Sequence, residues 1–257
     1  MKSLLETFIE DYVKKYKSQR RILTDWRVPL VSFADARNPL FNRLKIVVGT
    51  THVLPSDLLS DAKTVIIYFI PFSEEIASSN TNEGHASRRW ATAYLETNQM
   101  ILDLNESMSN MLEKHGYRST STAPTHDFDQ SKLVSRWSHK HVAFISGIGK
   151  FGIHNMIITK RGCCGRLGSI VTNAAIEPSR MDESVESCLY RIGRSCGLCA
   201  SKCTCGALRT DGFDKHKCYE QCMENASVYS EMGLADVCGK CASGVPCSHS
   251  DPSEMHK

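Results

Sequence analysis

The 257-residue sequence contains no apolar run approaching the ~20 residues that a membrane span requires. Its first stretch, MKSLLETFIEDYVKKY, has acidic residues where an export signal needs an apolar core, and no small-residue cleavage site. Export is therefore not expected, and a disulfide framework, which needs an oxidising compartment, is excluded with it. An excess of one charge is also missing. Thirty-one basic against 28 acidic residues leave a formal charge of +3, too little to argue for nucleic acid. The densest basic run, Lys14, Lys15, Lys17, Arg20 and Arg21, closes a helical pattern where the helix dipole favours cations, and reads as a solvated face. No internal repeat is visible. One polar low-complexity stretch, SSNTNEGHASRR at 78–89, reads as a solvated loop or a mobile flap. What remains is a cytoplasmic protein of ordinary globular composition, 41% hydrophobic and 23% charged.

Cysteine is abundant, and concentrated. Ten of the twelve fall between Cys188 and Cys247. Cys196 and Cys199 form one CxxC knuckle and Cys238 and Cys241 another, with Cys188, Cys203, Cys218 and Cys247 beside them. Two readings stand. Eight thiolates meet the ligand demand of two 4Fe-4S clusters, and C-x2-C-x3-C from Cys196 to Cys203 has the sense of a ferredoxin run whose last cysteine serves the other cluster. The turn glycines Gly197 and Gly239 suit that reading, because they let consecutive amides point at an anionic centre. Alternatively, the two knuckles make one tetrahedral zinc site, which leaves Cys203, Cys218 and Cys247 idle. Cys163, Cys164, Cys205 and Cys222 are surplus in either case, and read as small buried hydrophobes or incidental thiols.

The chain divides near residue 185. Before it, helical and strand patterns alternate: a helix opened by a Ser3/Glu6 capping box, with Leu5, Phe8, Ile9, Tyr12 and Val13 on one face; strands at 28–36 and 64–72, the second fully buried and stopped by Pro71. A helix over 101–112 stops at Gly116, and further strands are expected at 155–159 and 168–174. This pattern predicts an α/β layer domain over 1–185. Residues 186–257 predict a small metal-dependent module, poor in apolar runs, whose folding energy comes largely from the metal.

The segment SGIGKFGIHNMIITKRGCCGRLGSIVTNAAI (146–176), followed by the cysteine ladder, resembles the cobalamin-dependent epoxyqueuosine reductases and the reductive dehalogenases. Gly147, Gly149 and Gly152 match the first glycine-spaced element of those families, and Gly162, Arg166, Leu167, Gly168 and Thr172 match a GxxxRLGxxxTD segment, with Asn173 in place of the aspartate. The resemblance implies an α/β domain that binds a corrinoid, followed by a ferredoxin-like module of two 4Fe-4S clusters that pass electrons to the cobalt. It implies backbone approach of the macrocycle at Gly147, Gly149, Gly152 and the Gly162–Gly168 turn, where side chains are absent. It implies ligand sets of Cys203, Cys218, Cys238 and Cys241 for one cluster, and Cys196, Cys199 and Cys247 for the other. The relatives' fourth cysteine falls at Gly193, so Cys188 or a non-protein ligand must complete the second set.

Further departures bear on substrate. The reductases' proton-donating aspartate, ahead of an Ala-Pro pair, is Ser121 here, a poor general acid. His126, Asp127 and Asp129 lie just downstream, and His126 and Asp127 are the candidate catalytic groups; a polar loop of this kind is otherwise plain surface. His154, where the relatives have Asn, faces cobalt or substrate, or is a satisfied histidine at a strand entry. The chain ends at Lys257 without the helical-repeat tail of tRNA-acting members, so tRNA is not expected as a partner. The expected partners are a corrinoid, an external electron donor such as ferredoxin or flavodoxin, and a small-molecule substrate if the protein is an enzyme. An electron carrier or corrinoid-handling protein without substrate chemistry is the alternative.

Overall fold

The protein is described from a computed structural model, which covers residues 1–82, 84–180 and 186–254. In chain order the elements are α1 (Lys2–Gln19), β1 (Leu30–Asp35), α2 (Leu40–Val47), α3 (Pro55–Leu58), β2 (Thr64–Pro71), α4 (Glu74–Ser79), α5 (Arg88–Lys114) and β3 (Ser119–Ser121). A short hairpin of β4 (Phe128–Asp129) and β5 (Val134–Ser135) follows, then α6 (His139–Ile145), a second hairpin of β6 (Gly149–Phe151) and β7 (Ile157–Thr159), and β8 (Gly165–Thr172). The cysteine-rich segment contributes α7 (Leu198–Ser201), a hairpin of β9 (Leu208–Arg209) and β10 (Gly212–Phe213), and α8 (Lys215–Val228).

The centre is a four-stranded sheet in the order β1-β2-β8-β3, antiparallel throughout. Strand β2 is buried along its whole length because helices cover both faces. Ile66, Tyr68 and Ile70 point to the face covered by α1 and α5, and meet Leu5, Ile9, Ile101, Leu104 and Met108. Val65 and Ile67 point to the other face, against α6 (Val142, Ala143, Ile145), α2 (Phe41, Leu44) and Trp137. That alternation is the period-two geometry of a strand, and burial on both sides is why its sequence reads as one unbroken apolar run. The three-layer α/β core follows.

Some expectations need correction. Ser3 and Glu6 form no capping box: the helix starts at Lys2 with Met1 at the cap and no side-chain cap bond, so Ser3 already lies within the first turn. The helix expected over 101–112 is far longer, opened at Ser87, whose hydroxyl accepts from the Trp90 amide at 3.1 Å. It does end where expected, with Gly116 at φ +81° just past it. The polar run at 78–89 is neither flap nor plain solvated loop. Asn80 is buried and donates to the Cys238 carbonyl at 2.9 Å, Lys240 donates to the carbonyls of Asn80 and Asn82 at 3.3 and 2.7 Å, and the Ala86 amide donates to buried Asn225 at 3.0 Å. It is the seam on which the cysteine-rich segment is seated. The expected boundary at 185 falls at residues 181–185, outside the described residues. Beyond it the chain returns to the sheet domain: the Cys163 and Cys164 amides donate to the carbonyls of Cys247 and Ser248 at 2.9 and 3.1 Å.

Candidate functional site

The cysteine ladder divides into two groups of four. Cys188, Cys196, Cys199 and Cys247 line a cavity of about 330 Å³ whose other walls are mostly apolar, among them Ile153, Ile158 and Val245. Burial first, and then the nearby thiols of Cys247, Cys188 and Cys196, push Cys199 up to about 12. Cys203, Cys218, Cys238 and Cys241 line a second cavity, of about 1320 Å³ with the open space before it, together with Cys163, Cys205 and Cys222. Cys241 is raised by burial and by the thiols of Cys238 and Cys218. Crowded, dehydrated sulfurs of this kind can serve as donors to a soft metal centre, which would hold them as thiolates.

The described cysteines form no four-thiol group of the size of one zinc site. The two knuckles line different cavities. A single zinc, with Zn–S near ~2.3 Å, also needs sulfurs only about 4 Å apart. Among the described residues, the group of three or more potential ligand atoms that lies within 4.8 Å of one another is His154, Cys163 and Cys247, not a set of four thiols. Cys188 lines the first cavity with Cys196, Cys199 and Cys247, and Gly193 does not.

The surplus cysteines stand beside these sets. Cys163 and Cys164 are buried in an apolar cluster with Phe72 and Trp90, as a small-hydrophobe reading expects. Cys205 lies 3.8 Å from Cys203, and Cys222 follows Cys218 by one turn of α8. Cys218 is lowered to about 7, chiefly by the hydrogen bond from Cys222, with the Lys140 ammonium helping against burial.

A third cavity, of about 1380 Å³, opens between the sheet edge and the cysteine-rich segment. It shares Lys140, Met156, Arg166, Cys218 and Tyr219 with the second thiol cavity. With open solvent left out its volume is about 450 Å³, within the ~300–1,000 Å³ of small-molecule pockets. Phe128 and Tyr219, one from each side, meet edge to face across it at 5.8 Å.

The glycines expected to approach a corrinoid lie elsewhere. A Cβ on Gly149 would stand 2.4 Å from the Ile158 carbonyl oxygen within the β6–β7 hairpin. On Gly162, whose φ is +80°, it would meet the Ser248 carbonyl at 2.3 Å, and on Gly168 the Tyr68 ring at 2.4 Å. Gly147 closes α6 at φ +77°, and Gly152 makes room for the His154 ring at 2.5 Å. At Gly149, Gly152, Gly162 and Gly168 the chain itself fills the approach. Of the matched segment, Met156, Ile157, Cys163, Gly165, Arg166 and Leu167 line the large cavity.

Ser121 sits on β3 opposite Ile170, away from that cavity, whereas Pro124, His126 and Asp127 line it. His126 adopts φ +65° and places Nε2 3.1 and 3.2 Å from the two carboxylate oxygens of Asp236. Tyr94 donates to the same carboxylate at 2.6 Å, and burial pushes its hydroxyl up to about 12. The Arg166 guanidinium lies 4.6 Å over the Tyr94 ring, and its Nε donates to Asn98 at 3.0 Å. Asp127 presents its backbone carbonyl to Ser135 at 3.1 Å. Asp129 is a turn residue whose carboxylate accepts from Ser131 and Lys132 at 2.9 Å each. Sequence reasoning missed Tyr94, Asn98 and Asp236. The first two are one turn apart on α5, and Asp236 stands two residues before the second knuckle; that adjacency was the available signal.

No protein-family model and no curated protein matches the chain. Solved structures do. An epoxyqueuosine reductase from Bacillus subtilis, solved with its catalytic-aspartate loop swung out of the active site, superposes with a TM-score of 0.56 at 17% identity over 96% of this chain and 67% of its own. The enzyme from Streptococcus thermophilus gives 0.52 at 16% over 95% and 69%. A catabolic reductive dehalogenase in complex with 3-bromo-4-hydroxybenzoic acid gives 0.57 at 15% over 88% of this chain and 30% of its own. The chain has the fold of the epoxyqueuosine reductases and reductive dehalogenases. Within it, the large cavity, the thiol cavities and the Tyr94/Asp236/His126 network lie side by side.

Proposed function

We propose that this protein is a cytoplasmic iron-sulfur oxidoreductase. It holds one 4Fe-4S cluster on Cys203, Cys218, Cys238 and Cys241, a second on Cys188, Cys196, Cys199 and Cys247, and a corrinoid in the large cavity beside the first set. The observation that carries the reading is that Cys188, Cys196, Cys199 and Cys247 line one cavity and Cys203, Cys218, Cys238 and Cys241 another, which shares lining residues with the large cavity beside it. When bound, the clusters would supply one-electron transfer from an external donor such as ferredoxin or flavodoxin, and the corrinoid a centre that accepts those electrons.

The chain's own groups do the rest. Lys140 lies close enough to the thiols of Cys218 and Cys241 for its ammonium to offset their charge. Arg166 holds the Tyr94 ring, and Tyr94 and His126 converge on one carboxylate, so a proton can be held at Asp236, Tyr94 Oη or His126 Nε2 beside the cavity. This network stands in for the carboxylate that Ser121 lacks. Phe128 and Tyr219 restrict water at the mouth.

The placement of Ser121 on an edge strand favours a second reading, an electron carrier or corrinoid-handling protein with no substrate step. Anaerobic purification with iron, sulfide and corrinoid analysis tests the first reading: about eight irons and eight sulfides are expected, and one zinc without acid-labile sulfide would remove it. Turnover of any substrate that is lost in Asp236→Asn, with electron uptake by the bound corrinoid intact, would separate enzyme from carrier.

A further inference from the structure

We infer that His154 is a hydrogen-bond donor to the Cys247 sulfur that raises the reduction potential of the cluster held by Cys188, Cys196, Cys199 and Cys247. The inference rests on the cluster assignment proposed above and adds to it a residue that sets how readily that centre takes its electron.

The geometry is built, not incidental. His154 is only 4% exposed, at the tip of the β6–β7 hairpin, and its Nε2 lies 3.4 Å from Cys247 Sγ. The Met156 amide donates to Nδ1 at 3.1 Å, so Nδ1 is an acceptor and the ring's proton sits on Nε2, pointing at the sulfur. The hairpin turn fixes the ring. Asn155 adopts φ +58° with its amide on the Gly152 carbonyl at 3.0 Å, and the absent Cβ of Gly152 leaves the space that the imidazole fills. His154 also lines both the first thiol cavity and the second, so it stands in the wall between the two proposed clusters. Cys163, buried on the other side, lies within the same 4.8 Å group as His154 and Cys247.

An N–H dipole aimed at a ligating sulfur stabilises the more negative state of the centre, and so favours its reduced form. The electron comes from the donor protein; the imidazole keeps its Nε2 proton, and no bond to it forms or breaks. The fourth thiol of this cavity is already Cys188, which leaves His154 free to donate rather than to ligate.

The test is a potentiometric titration of the anaerobically reconstituted full-length protein, followed by electron paramagnetic resonance. In His154→Phe one of the two midpoint potentials should move to a more negative value while the other stays, and His154→Gln, which retains an N–H, should fall between. Eight irons in His154→Phe with both potentials unchanged would overturn the inference. Should that variant fail to hold its iron, the unaltered protein still decides: the reduced cluster should show a solvent-exchangeable proton with weak coupling to a 15N-labelled histidine. Absence of that proton, or the strong coupling of a directly ligated nitrogen, would sink the idea. Wild-type protein with one zinc in place of a cluster would overturn both this inference and the proposed function; two clusters with an unshifted potential would overturn this inference alone.

Discussion

Asn225 shows how much a single polar side chain carries when it is fully buried. Its oxygen accepts from the Ala86 amide at 3.0 Å and its amide group donates to the Val237 carbonyl at 2.9 Å, so it joins the seam at 84–87 to the strand of chain that leads into the second knuckle. Asn225→Ala leaves a buried donor and a buried acceptor unpaired, and should cost about 2 to 4 kcal/mol, read as a lower urea midpoint of the metal-loaded protein. Cysteine placement makes a second residue-scale prediction. Cys218 and Cys222 share a face of α8 and line the same thiol cavity, but Cys218 is held at about 7, whereas Cys222 is driven upward by the hydrogen bond it gives and by burial. Cys218→Ser should therefore lower the iron content from about eight toward four, and Cys222→Ser should leave it near eight. Equal iron loss in both would show that the two cysteines exchange roles.

At the scale of elements, α6 and β8 carry the sharpest consequences. His139 and His141, on the first turn of α6, are both lowered to about 4, chiefly by burial, which disfavours their charged forms. A histidine whose folded value lies below its unfolded one binds its proton more readily when unfolded. The contribution of these two histidines should thus be level above about 7, fall as pH drops below the ordinary value of 6.5, and level again below about 4, where the lowered carboxylates of Asp35 and Asp61 begin to lose theirs. Denaturant midpoints measured across that window should show the fall, and His139→Gln should flatten it. In β8, a Cβ at Gly165 would stand 2.3 Å from the Ile70 carbonyl oxygen, which is backbone and cannot move aside. Gly165→Ala should destabilise by about 1 to 3 kcal/mol, seen as a lowered Tm. The same element shows where the sequence was readable. The buried strands β2 and β8, and the stop of α5 at Gly116, were legible because period, breakers and burial all agreed. The reach of α5 back to Arg88 was not, since its first turns begin in a run whose polar residues bond to a segment about 150 positions later. Gly149, Gly152, Gly162 and Gly168 read as approaches for a cofactor, because a missing side chain in a sequence does not say which neighbour needs the space.

Across the whole molecule, the two parts read from the sequence are interlocked. Arg27, near the sheet, donates to the His249 carbonyl at 3.0 Å, and the chain after the last cysteine lies along Cys163 and Cys164. The eight thiols were legible as a count and a spacing. Their division between cavities, with Cys188 lining the first, was decided by tertiary folding, as was the convergence of Tyr94 and His126 on Asp236, 142 and 110 residues away. This layout predicts what metal removal does. The cysteine-rich segment has few apolar contacts of its own: among the described residues its buried cluster centres on Cys199, Leu208 and Val245, the first of them a proposed ligand. The sheet domain buries Leu5, Phe33, Ile66, Tyr68, Met100 and Leu104 completely, with no metal near. Chelation should therefore unfold α7, α8 and the hairpin between them, because loss of the metal removes most of what orders them. Strands β2 and β8 should keep their amide protection. Hydrogen exchange with mass spectrometry on chelated and reconstituted protein reads both regions at once. Fast exchange confined to 196–228 is expected, with partial loosening at 80–87 and 163–164, where the segment is seated. Equal loss of protection in β2 would mean that the sheet core depends on the metal as well, and protection retained in α8 would mean that the segment folds without it.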